Sequence, residues 1–83
     1  MSQAVSIQQK PSRLLTTTQA GDVVHLVRID AGRSLKSRLT AMGLVPASEL
    51  TVVSNGHPGP FILIVKDTKV VLGRGAAQKI TVR

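Results

Sequence analysis

Apolar positions along this chain follow two different periods. Between Gly32 and Pro46, Leu35, Leu39 and Met42 recur at helical spacing and fall on one narrow face. Gly43 stands just past them, where a glycine takes a left-handed conformation, so that Leu44 can fold back onto Leu39 in a Schellman closure. Pro46 forbids any continuation. The pattern predicts one short helix over about Arg33–Met42, with a firm stop.

On either side the spacing is that of strands. Val23–Ile29 predicts a first strand whose two faces are both partly apolar, with His25 and Arg28 as its polar members. Glu49–Ser54 alternates, Leu50 and Val52 on one face against Glu49 and Thr51 on the other, as a half-buried strand does. Phe61–Val65 is continuously apolar, as in a buried strand, and the tight reversal Lys66–Lys69 turns it back into Val70–Leu72 as a hairpin. Gly73–Gln78 has the length of one helical turn, after which Lys79–Val82 alternates as a last strand. The stretch from Asn55 to Pro60 is dense in turn formers and reads as an exposed loop; Ala20-Gly21-Asp22 is a further turn. Five short strands must hide their edges, and closure does so. The expected fold is therefore mainly β with one or two short helices, a small five-stranded barrel with the helix on its rim.

From Met1 to about Thr18 the composition of Ser, Gln and Thr buries too little apolar area to offset chain entropy. This segment is expected to be mostly disordered, with Leu14 and Leu15 docking onto the barrel. The division is a disordered leader over residues 1–13 and one domain over 14–83. A chain of 83 residues has room for a single modest core. Cysteine is absent, which excludes disulfides and thiolate metal sites and fits a reducing compartment. Residues 1–13 hold no apolar stretch of signal-peptide length, and nothing approaches the roughly 20 apolar residues of a membrane span. A soluble, cytoplasmic protein without membrane insertion is expected.

Charge sharpens the choice of partner. Eleven Lys and Arg against 4 Asp and Glu leave a net +7, which attracts acidic partners at long range. Phe61 is the only aromatic residue, so bases have no rings to stack on and proline-rich peptides no aromatic groove. Phosphate contact or protein contact remains. Catalysis is disfavoured: no elbow motif joins His25 or His57 to a serine, and Asp22, Asp30, Glu49 and Asp67 lie in four separate elements. Gly73-Arg74-Gly75 lacks the rest of a phosphate-binding loop and reads as a flexible approach to the last strand. His57 is the single candidate metal ligand, an imidazole without a spaced partner, better read as a surface-loop residue. On the helix, Leu35 and Leu39 serve the core together with Gly43, Leu44 and Pro46. Met42 is the member of the stripe left for a partner, and Arg33, Lys36 and Arg38 surround it as candidate contacts.

The order and spacing of Gly21, Leu26, Ile29, Leu39, Met42-Gly43-Leu44 and Pro46, followed by Pro60, Val65, Val70–Gly73, Ala76-Ala77 and Ile80-Thr81-Val82, resemble the FeoA family over about Leu14–Arg83. Two positions depart from its pattern. Ala47 follows Pro46 where glycine is common, and Asp67 replaces a hairpin glycine. Aspartate tolerates left-handed geometry but alanine does so poorly, so a type I turn is expected at Pro46-Ala47. The resemblance implies an SH3-like barrel acting in ferrous iron uptake by binding the cytoplasmic G-protein domain of the membrane transporter FeoB. It implies no catalysis and no required cofactor. Because the same fold occurs in iron- and manganese-dependent repressors, it also implies association with iron or another divalent transition metal as a secondary property. The expected role is an adaptor docking through the helix and its following turn, with the His57 loop as a second contact. The alternative, from the charge alone, is a basic nucleic-acid-binding barrel of the translation or RNA-chaperone kind.

Overall fold

The computed structural model describes residues 11–56 and 59–83. In chain order they form β1 (Arg13–Leu14), a 3-10 turn (Leu15–Thr17), β2 (Val23–Ile29), α1 (Arg33–Ala41), β3 (Glu49–Ser54), β4 (Phe61–Val65), β5 (Thr68–Leu72), α2 (Arg74–Ala77) and β6 (Ile80–Val82). The five expected strands are all present, and the short β1 joins them. Every pairing is antiparallel, in the order β1-β6-β2-β3-β4-β5. β1 and β5 are the two edges, so the barrel is open rather than fully closed. Its interior holds Leu15, Leu26, Leu50, Phe61, Leu63 and Ile80, and Leu39 and Leu44 close one end.

Both faces of β2 read as partly apolar because the strand changes phase midway. Leu26 lies opposite Val82 and Arg28 opposite Thr81, so Val27 is an extra residue, a β-bulge. In a regular strand Arg28 would follow Leu26 inward. The bulge turns Arg28 out and sends Ile29 into the core instead. β3 carries a similar irregularity, with Val53 between the pairs Val52–Leu63 and Ser54–Ile62, and Val53 is exposed. In β4, Phe61, Leu63 and Val65 point inward while Ile62 and Ile64 are half-buried on the outer face, so the continuous apolar run is only alternately buried. Val65 pairs with Thr68 around Lys66 and Asp67, whose φ values of 50° and 64° are the type I′ geometry that suits strand twist.

The turn after α1 differs from the expected type I. Ala47 has φ 73°, and the Ser48 N–H donates to the Val45 carbonyl at 3.0 Å, so Val45–Ser48 is a type II turn with Pro46 at its second position. Tertiary bonds impose the conformation. The Ala47 N–H donates to the Leu26 carbonyl (2.8 Å) and the Leu26 N–H to the Ser48 carbonyl (2.9 Å), pinning the turn to β2. The Ser48 hydroxyl accepts from the Val45 N–H (3.1 Å) and donates to the Gly43 carbonyl (3.0 Å). Four such bonds, each worth about 0.5–1.5 kcal/mol, outweigh roughly 1–2 kcal/mol for a left-handed alanine.

The N-terminal segment also departs from its composition. Arg13 and Leu14 pair with Val82 and Thr81. Leu15 docks onto the barrel as expected and is fully buried, whereas Leu14 stays exposed; Thr18 is buried as well, its hydroxyl donating to the Leu15 carbonyl at 2.7 Å. The boundary expected between residues 13 and 14 therefore falls inside β1. Expectations for residues 1–10 and for His57 lie outside the described residues.

Candidate functional site

α1 is held to the barrel by one side of its surface. Leu39 is buried and Leu35 half-buried, while Met42, at the cap position, remains 39% exposed. The Schellman closure is complete: the Leu44 N–H donates to the Leu39 carbonyl and the Gly43 N–H to the Thr40 carbonyl, both at 3.0 Å, with Gly43 at φ 98°. This stop directs the chain from the helix into the turn that Leu26 anchors, and so sets the helix against the bulged part of β2.

The four candidate contact residues divide between two sides of that helix. Arg33 and Lys36 border a shallow concave surface with Ser37, Thr40 and Ala41. Arg38 stands two residues from Lys36, hence on the far side, where it neighbours Met42 at the next turn. All four are exposed. A second, smaller depression of about 90 Å³ lies between α1 and β2, lined by Leu26, Val27, Ile29, Leu44 and Pro46 with Lys36 at its margin. The helical spacing of Arg33, Lys36 and Arg38 was legible in the sequence; the groove was not, because it exists only where β2 bulges.

Two of the described cations are paired with carboxylates, and the cations of α1 are not among them. Among the described residues the ion pairs are Arg13–Asp22 at 3.7 Å and Arg28–Asp30 at 3.0 Å, both exposed. Glu49 and Asp67 border a different depression with Thr51, Ile64 and Lys66, so the fold draws together two carboxylates that the sequence keeps apart. Arg33, Lys36 and Arg38 therefore have no carboxylate partner within the described residues, and α1 presents uncompensated positive charge. No group of three or more His, Asp or Glu that could hold a metal ion occurs among the described residues.

One residue gains a role that its local sequence conceals. Arg74 opens α2, and its Nη1 donates to the Asn55 carbonyl (2.5 Å), the Asn55 Oδ1 (3.1 Å) and the Gly56 carbonyl (2.8 Å). Its guanidinium lies 5.7 Å from the Phe61 ring centroid. Asn55 in turn donates through Nδ2 to the carbonyls of Thr16 and Thr18. The helical turn expected over Gly73–Gln78 is present as α2, and its arginine clamps the loop after β3, so Gly73-Arg74-Gly75 is not a flexible approach to β6. No local motif could have signalled it, since its acceptors lie 18 and 19 residues away.

A curved antiparallel sheet with a helix on its rim and a helical turn before the last strand is the architecture of an SH3-like small barrel. The chain belongs to the FeoA domain family, whose model matches residues 13–83. It is 38% identical over 68 residues to a Methanocaldococcus jannaschii protein named as a Fe(2+) transport protein A, covering 82% of each chain. A crystal structure of an iron uptake regulatory protein, FeoA, superimposes with a TM-score of 0.81 at 29% identity, covering 88% of this chain and 97% of that one. A manganese-dependent transcriptional repressor gives a TM-score of 0.81 at 28% identity, covering 93% of this chain but only 43% of the longer repressor. Among the described residues no helix is long and apolar enough to cross a membrane.

Proposed function

We propose that this protein is a non-catalytic accessory of ferrous iron uptake that works in the cytoplasm by binding the G-protein domain of a FeoB-type transporter through α1 and the turn after it. The observation that carries this reading is the uncompensated charge of Arg33, Lys36 and Arg38 around a helix anchored by Leu39, beside a half-exposed Met42. Family membership and a relative named for Fe(2+) transport support the iron-uptake setting. Charges at the edge of a docking surface act mainly on association rate and salt dependence.

The test is binding of the purified cytoplasmic G-protein domain of the cognate transporter to parent and variants, followed by interferometry. Lys36→Glu and Arg38→Glu should each slow association while leaving stability within about 0.5 kcal/mol, as for most exposed substitutions. Parent-like binding by Arg33→Glu, Lys36→Glu and Arg38→Glu together, with loss on substitution of His57 instead, would move the docking surface off α1.

A further inference from the structure

The small depression beside α1 has a shape and chemistry of its own. Its base is made by Leu26, Ile29 and Leu44, which are otherwise buried in the core. It opens because two regular features stop there. β3 pairs with β2 from Val23 to His25, Leu26 is held by the turn, and from Val27 onward β6 is the only strand beside β2 among the described residues. The Asp30 N–H bonds to the Lys79 carbonyl at 2.7 Å, on the β6 side, so alternation along the strand directs the main-chain groups of Ile29 the other way, toward the open edge. The bulge at Val27 turns Arg28 outward, and Val27 itself lines the depression.

The polar groups around the groove are unequal. The Thr40 hydroxyl donates to the Lys36 carbonyl at 2.8 Å, which leaves its methyl group as wall. Arg28 directs its Nε at both oxygens of Asp30, at 3.2 and 3.0 Å. Lys36 alone has no carboxylate partner among the described residues. A volume of about 90 Å³ equals about three water molecules at about 30 Å³ each, and lies below the ~150 Å³ of a cavity that accepts benzene. That is the size of a branched aliphatic side chain, not of an aromatic ring.

We propose that this groove seats one leucine, isoleucine or valine side chain of an acidic, extended partner segment, whose flanking carboxylate pairs with Lys36 and whose backbone lies along the open edge of β2. The occupant is identified by charge complementarity. The chain's own first twelve residues contain Lys10 and no carboxylate, and a second copy carrying +7 would be repelled. The proposal rests on α1 being the docking element, and it names what that element grips.

The probe is a fluorescein-labelled pentapeptide, Glu-Asp-Leu-Glu-Asp, titrated into the full-length protein at low salt with amide chemical shifts recorded in parallel. Shifts should concentrate at Val27, Arg28, Ile29, Lys36 and Thr40. Replacing the central leucine by alanine should weaken binding by about tenfold, the usual effect of losing one buried aliphatic group. Thr40→Leu, at an exposed helical position that favours leucine, should fill the groove and abolish the difference between the two peptides. Equal binding of both peptides to the parent, shifts elsewhere on the barrel, or groove shifts that grow with protein concentration before peptide is added would each overturn the proposal. The transporter's G-protein domain separates the two levels. If Thr40→Leu binds it like the parent while the triple charge reversal on α1 does not, docking stands and the groove falls. If the domain binds neither parent nor variant while the leucine-dependent shifts persist, the groove stands and the transporter is not its partner.

Discussion

Replacing Ala47 by glycine is expected to make this protein more stable, although glycine substitutions usually do the opposite. Ala47 sits at φ 73°, where an L-residue suffers a clash between Cβ and its own carbonyl worth roughly 1–2 kcal/mol. Glycine removes that clash and keeps all the bonds that pin the turn, since the Ala47 N–H, the Ser48 hydroxyl and the Leu26 main chain are unaffected. Against this, glycine widens the unfolded ensemble at a cost of about 0.4–1 kcal/mol. At mid-range the difference is about 0.8 kcal/mol in favour of the variant. For a domain of about 70 residues, an unfolding entropy of about 2.1 cal/mol/K per residue makes this an increase of about 5 °C in Tm. Calorimetric melts of Ala47→Gly, Ala47→Asn and Ala47→Val form the assay. Asparagine, which tolerates the left-handed region without glycine's entropy, should stabilise at least as much, and valine should destabilise by 1 kcal/mol or more, on the order expected for a β-branched residue there. A fall of a few degrees for Ala47→Gly would mean that only the unfolded-state effect operates and that the turn carries no strain.

Gly43→Val should cost roughly 1 kcal/mol or more, because a β-branched residue is strained at φ 98°; an unchanged urea midpoint would refute the Schellman assignment. Arg74→Ala should destabilise by about 1–2 kcal/mol, since its charged hydrogen bonds are only half-buried, and amide exchange at Asn55 and Gly56 should accelerate. Arg74→Lys should not restore protection, because one ammonium cannot reproduce a planar guanidinium over Phe61. RNA and duplex DNA should bind weakly and without sequence preference, losing most affinity by physiological salt, because charge supplies phosphate contacts but one phenylalanine supplies no stacking. Fluorescence anisotropy across a salt series checks this, and a sequence-specific complex that persists at physiological salt would favour the nucleic-acid-binding alternative.

Several features of this chain depend on interactions within a few residues, and those were legible from the sequence alone. The α1 stop needs only Leu39, Gly43 and Leu44, whose bonds span five residues or fewer. The hairpin needs only a tight reversal between two apolar runs, and Asp67 is a residue that tolerates positive φ. The run of strands needs period two and turn formers, and the cationic residues of α1 need only helical spacing. Even the absence of a second aromatic, which removes base stacking, is a property of composition.

Other features were decided only when distant segments met. Nothing near Val27 marks it as the extra residue of β2; the bulge is set by β6, more than fifty positions away in the chain, and by the need to bury both Leu26 and Ile29. Ala47 adopts a conformation its own chemistry opposes because Leu26 and Ser48 hold it there. Leu15 lies in a segment too polar to fold by itself, yet it fills the core once β1 pairs with β6. The groove beside Lys36 is a gap between α1, a bulged strand and a turn, and Arg74 finds its acceptors on the loop after β3. Local propensity is written in neighbouring residues, whereas register, strain and cavities arise from the packing of elements that the chain brings together only on folding.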